Sequence, residues 1–146
     1  MNCDVYLRKG ILYLPTMGKM EEGFYRGVEP VAVVPISNTT EVREALQTMI
    51  SRGNPIVPML RRREIPPPVL LKYAGVKSWS EFERGMKFWN IKDREGVFQI
   101  LVEAKQPEGF WKPDPKQTIT FPAGTKPDDV IDRMITILQS ANGSTK

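Results

Sequence analysis

Glu22-Gly23-Phe24-Tyr25-Arg26 returns 86 residues later as Glu108-Gly109-Phe110-Trp111-Lys112. The same offset, without a gap, lays Arg8-Lys9-Gly10-Ile11 over Arg94-Glu95-Gly96-Val97 and Lys19 over Lys105. Past the echo, each copy runs through a strand-like segment ending in proline, Pro35 or Pro122, and on into an amphipathic helix. A chain built from two similar halves tends to place them about a pseudo-two-fold axis, and that limits where a groove can lie.

Each half reads as hairpin, further strand, helix. In the first, residues 4–8 and 11–14 flank a turn at Lys9-Gly10, the pattern of a β-hairpin. Val31-Ala32-Val33-Val34 reads as a strand buried on both faces and closed by Pro35. Val42, Ala45, Leu46, Met49 and Ile50 then form one apolar helical stripe, because residues three and four apart share a helix face. Asn38 with Glu41 resembles a capping box, and Gly53 followed by Asn54-Pro55 ends the helix. In the second half, residues 87–91 and 97–102 form the hairpin about Asp93-Arg94-Glu95-Gly96, and Thr118-Ile119-Thr120-Phe121 alternates like a half-buried strand. Thr125 and Asp128 open a helix with the stripe Ile131, Met134, Ile135 and Leu138. Asp128 and Asp129 suit the positive end of its dipole, and the tail from Gly143 is expected to fray.

Between the halves, Arg61-Arg62-Arg63 and Pro66-Pro67-Pro68 precede Val69-Leu70-Leu71-Lys72-Tyr73, and Ser78-Trp79-Ser80-Glu81 reads as the capped start of a short helix. Three prolines in succession favour a stiff extended segment. The expected fold is therefore α+β: an antiparallel sheet with two main amphipathic helices on one face. It is expected as a single domain over 1–146, with half-repeats at about 4–53 and 87–141 and a Pro/Arg-rich insertion at about 54–86.

Composition narrows the chemistry. The chain has no histidine, so the commonest metal ligand and the commonest general base near neutral pH are missing. Serine or cysteine triads with histidine and zinc sites of the usual composition are excluded. Cys3 is the sole cysteine, which rules out an internal disulfide and suits a reducing cytoplasm. No stretch approaches the roughly 18 apolar residues of a membrane span. Asp4 and Arg8-Lys9 interrupt any leader-like apolar run. No cofactor, metal or membrane partner is expected. The net charge is +4, but Arg61 to Lys92 alone holds eight basic and three acidic residues. Local charge of that kind attracts anionic partners.

Three groups of residues are candidates for function. If the axis brings the echoed segments together, Phe24, Tyr25, Phe110 and Trp111 would line a shared aromatic cleft rimmed by Arg26 and Lys112, suited to a flat anionic ligand or a stacked base. Against that stands the plainer expectation that the glycine shapes a turn and the aromatics fill the core beneath it. Glu22 and Glu108 could form a carboxylate pair only at a suitable separation; beside turn glycines they read as solvated. Arg61, Arg62 and Arg63, with Lys72, Tyr73, Lys77 and Trp79, interleave cations and aromatics as nucleic-acid surfaces do, while no helix-turn-helix, zinc-finger or RRM-type pattern accompanies them. The expected function is that of a small cytoplasmic, non-enzymatic interaction protein with a protein partner: an adaptor, regulator or immunity-like protein. Arginine and tryptophan commonly carry the energy of such contacts. Nucleic-acid binding through the basic 61–92 segment is the alternative. A small-molecule binder or enzyme with its cleft between the halves is a further one.

Overall fold

In this computed structural model, which describes residues 1–143, the chain opens with β1 (Asn2–Arg8), β2 (Ile11–Lys19) and β3 (Tyr25–Pro35), followed by helix α1 (Thr39–Arg52). The insertion carries a 3-10 turn at Arg62–Glu64 and two short helices, α2 (Leu70–Ala74) and α3 (Trp79–Glu83). Then come β4 (Met86–Arg94), β5 (Val97–Lys105), β6 (Trp111–Pro113), β7 (Ile119–Thr120) and α4 (Pro127–Gly143). The tail beyond Gly143, where fraying is expected, lies outside the described residues.

One antiparallel sheet takes all the strands, in the order β3-β2-β1-β4-β5-β6, with β7 also pairing with β5. The fold is thus α+β, and both halves share the sheet through the β1–β4 pair. The turns explain why the hairpins are so tight. Lys9 and Gly10 have φ of 51° and 75°, and Glu95 and Gly96 have 53° and 79°; two consecutive left-handed residues match the twist of the strands they join. At the middle of the sheet Asp4 faces Asn90, its counterpart at the 86-residue offset. On either side Cys3 faces Ile91 and Val5 faces Trp89. The halves diverge beyond the second strand. β3 is an 11-residue edge strand whose pairing with β2 shifts register between Pro15 and Thr16, whereas its place in the second half is taken by two short pieces, β6 and β7.

Side chains alternate across a strand, so each face of the sheet has its own core. Cys3, Val5 and Leu7 join Leu12, Leu14, Trp89, Ile91 and Ile100 beneath α1 and α4. The helices contribute the stripes read from the sequence: Val42, Leu46 and Met49 from α1, and Ile131, Met134, Ile135 and Leu138 from α4. Arg43 and Asp132 link the two helices at 2.5 Å across their exposed side. On the opposite face Tyr6, Tyr13 and Met86 pack against Leu70, Leu71 and Phe82 of the insertion.

Two expectations need correction. The two main helices do share one face, but helices are not confined to it, because the insertion is apolar enough to form its own layer on the other. The 31–34 segment is not buried on both sides: it lies in edge strand β3, with Val34 buried and Val33 41% exposed. Pro30 and Pro35 suit that place, since an edge strand tolerates residues that cannot donate to a ladder.

Candidate functional site

An open groove of about 1060 Å³ lies between the sheet and the insertion. Asp4 and Tyr6 of β1 are on its floor, residues 26–29 of β3 line one side, and residues 65–72 with Lys77 and Trp79 line the other. The stiff Pro66-Pro67-Pro68 stretch holds that second wall. Ser78 fixes the position of Trp79 by capping α3, its Oγ accepting the Glu81 N–H at 3.2 Å.

The aromatic residues beneath form a continuous series. Phe82 sits at its centre, with ring centroids 5.8, 5.4 and 5.2 Å from Tyr6, Tyr13 and Trp79. Tyr6 stacks on Phe88 at 4.5 Å, and Phe88 meets the edge of Trp111 at 5.9 Å. The buried Arg8 guanidinium lies 5.8 Å from the Phe82 ring centre and donates to the Glu81 carbonyl at 3.4 Å.

Polar groups are concentrated where the two halves meet. Asp4 accepts hydrogen bonds from the Tyr6 hydroxyl at 3.0 Å and from Asn90 Nδ2 at 2.7 Å. Asn90, 4% exposed, also donates to Asn2 Oδ1 at 2.5 Å, and its own Oδ1 has no partner. Burial raises the Asp4 carboxyl above the ordinary aspartate range, against the pull of the Asn90 and Tyr6 hydrogen bonds and the charge of Lys92. Glu103 is raised as well, by burial and then by the neighbouring Asp4 charge. Burial pushes the Cys3 thiol up to about 12, with Asp4 adding to the effect, so the thiol stays protonated and unreactive near neutral pH.

The structure brings together four of the residues singled out from sequence, Arg26, Lys72, Lys77 and Trp79, all on this groove. Lys72 pairs with Glu29 at 2.6 Å, and Tyr73 donates to the same carboxylate. Those two bonds hold the Glu29 carboxyl below its ordinary range. Arg61 and Arg63 are exposed beside the 3-10 turn, where Glu64 accepts the Arg61 N–H at 3.2 Å; the Arg62 side chain is outside the described residues.

The shared cleft between echoed segments is not formed. Tyr25 and Arg26 open β3 while Trp111 and Lys112 lie on β6, and these strands occupy opposite edges of the sheet. The plainer expectation holds in part. Gly23 and Gly109 do shape equivalent turns, with φ of 89° and 99°. Each turn is closed by matching bonds, Met20 N–H to Phe24 O at 2.8 Å and Gln106 N–H to Phe110 O at 2.7 Å. Yet Phe24 and Phe110 are 65% and 54% exposed, and only Tyr25 and Trp111 turn partly inward. Glu22 and Glu108 are both exposed.

No family model and no curated protein matches this chain. Solved structures do. A protein of unknown function from Neisseria meningitidis superposes with a TM-score of 0.64 at 11% identity, over 95% of this chain and 93% of that one. A chain of a CdiA-CT/CdiI toxin and immunity complex from Yersinia pseudotuberculosis also gives 0.64, at 12% identity, over 96% and 95%. At such identities the likeness establishes the fold. Among the described residues no helix is long and apolar enough to cross a membrane, and no group of three or more Asp, Glu or Cys is placed to hold a metal ion.

The sequence reading missed Asp4 and Asn90 as site residues. Asp and Asn are depleted in strands, so each inside an otherwise apolar β run was the available signal.

Proposed function

We propose that this chain is a small non-enzymatic interaction protein of the cytoplasm, immunity-like or regulatory, that binds another protein through the groove between sheet and insertion. The observation that carries the reading is the groove itself. It is open along one side, walled by residues 65–72 and floored by the sheet, whereas small-molecule sites of up to about 1,000 Å³ enclose most of their ligand. An open trough with a rigid apolar wall and an aromatic at its end suits side chains presented by a protein surface. The fold shared with a chain of a toxin and immunity complex supports the same reading. So does the buried, protonated Cys3, which leaves the chain's one thiol without a nucleophilic role.

Nucleic-acid binding ranks second because the basic residues of 61–92 do not share a face. Lys72 is paired with Glu29 on the insertion side, while Lys87 reaches the Ala141 carbonyl of α4 at 2.9 Å on the other. A phosphate-tracking surface needs its cations on one path.

The test is affinity capture from native lysate with and without nuclease, using the wild type and Ile65→Asp. Ile65 is 56% exposed on the groove wall, so a carboxylate there leaves the core intact. A discrete protein that survives nuclease and is lost with Ile65→Asp supports the proposal. Nucleic acid in the eluate, with every protein vanishing on nuclease treatment, overturns it.

A further inference from the structure

Which chemistry the partner presents can be argued from the groove floor. We propose, building on the protein-binding reading above, that the groove accepts a basic side chain, arginine or lysine, projecting from the partner, with the Asp4 carboxylate as its counter-ion. Asp4 lies on the floor, is partly buried, and makes no ion pair among the described residues. Both of its hydrogen bonds come from neutral donors, the Tyr6 hydroxyl and the Asn90 amide. A carboxylate taken partly out of water without a cation is a costly arrangement, and an incoming ammonium or guanidinium group relieves it.

A second observation points the same way. Asn90 Oδ1 is a buried acceptor without a partner. Turning the amide over would not satisfy it, because Nδ2 is already committed to two oxygen acceptors, Asp4 and Asn2. The unmet demand beside Asp4 is therefore for hydrogen-bond donors. Tyr6 beneath and Trp79 on the wall add aromatic surface, against which a guanidinium packs favourably.

The chain's own cations do not fill the place. Lys92 is near enough to pull down both Asp4 and Glu103, yet forms no ion pair with either among the described residues. Lys72 is held by Glu29 at the rim. Arg26 and Lys77 line the groove walls and form no ion pair with Asp4 among the described residues.

Three blocked tripeptides test this directly: acetyl-Gly-Arg-Gly-amide, its lysine counterpart, and the citrulline analogue, which keeps the arginine shape without its charge. Each is titrated into the wild-type protein and into Asp4→Asn, following the Trp79 indole and Asn90 side-chain amide resonances. The arginine and lysine peptides are expected to shift both resonances, with citrulline weaker by about tenfold, as loss of a charge-assisted bond predicts. Asp4→Asn is expected to abolish the difference. Equal titration by arginine and citrulline peptides, or shifts confined to other residues, overturns the proposal. The wild-type comparison decides the matter even if Asp4→Asn does not fold. A captured partner that binds Asp4→Asn as well as wild type would sink this inference and leave the protein-binding reading standing; failure to capture any protein would overturn the protein-binding reading itself, and this inference with it.

Discussion

Replacing Phe82 with alanine isolates what holds the groove wall in place. Phe82 is 0% exposed and touches Tyr6, Tyr13 and Trp79, so it ties the insertion to β1 and β2 through one ring. Returning a fully buried phenylalanine to water accounts for about 1.5–3 kcal/mol. The cavity left among three rings that cannot all close over it brings the cost to about 3–5 kcal/mol. For a domain of this size that corresponds to a fall in melting temperature of about 6–20 °C. The matched control is Phe24→Ala: the same deletion at a 65% exposed ring should stay within about 0.5 kcal/mol. Urea denaturation gives both numbers. Native-state hydrogen exchange then separates global loss from release of the insertion alone, since in the second case the amides of α2 and α3 exchange early while those of α1 and α4 keep their protection. Wild-type-like stability and exchange in Phe82→Ala, or a Phe24→Ala cost of similar size, would refute the reasoning.

Two further predictions concern the sheet. Asp4 holds its proton more tightly in the folded state than its ordinary value of 3.8 allows, so stability contributed through it falls as pH rises through the window above that value. Relative to Asp4→Asn, the wild type should therefore gain stability between pH 7 and pH 4; a gap independent of pH, or one of opposite slope, would contradict the burial of this carboxyl. Gly18 is crossed by the strap after α1, which bonds to β2 through Lys19 N–H to Pro55 O at 2.8 Å and Val57 N–H to Lys19 O at 3.0 Å. A Cβ on Gly18 would lie 2.5 Å from Val57 Cγ1, so Gly18→Ala should cost about 1–3 kcal/mol. Val57→Ala should restore much of that loss, and additive costs in the double mutant would argue against the contact.

The local signals in the sequence were strong where one element decides its own conformation. Asn38 Oδ1 does accept the Glu41 N–H, at 3.1 Å, and Ser78 caps α3. The stripe of α4 is buried whole, together with Val130, and that of α1 is buried at Val42, Leu46 and Met49 and half-buried at Ala45 and Ile50. What was not legible depended on partners distant in the chain. The 31–34 segment is apolar enough for a central strand, yet chain order places it at an edge, where Val33 faces solvent. Residues 70–71 carried no element expectation in the sequence, and they form part of α2, packed on Tyr6 and Tyr13 of the opposite sheet face. The echo suggested one shared cleft. The antiparallel β1–β4 pairing instead carries its two copies to opposite edges, so the groove formed between the insertion and the first half. Arg26, Lys72, Lys77 and Trp79 met there, while Asp4 and Asn90 came together only through a register that the sequence does not display.

Hydrogen–deuterium exchange on the complex with the captured protein tests the central claim most directly. Residues 26–29 of β3 and 65–79 of the insertion should gain protection on binding, with the outer faces of α1 and α4 and the 108–112 turn unchanged. Protection confined to α1 and α4, or to that turn, would place the partner elsewhere and contradict the account.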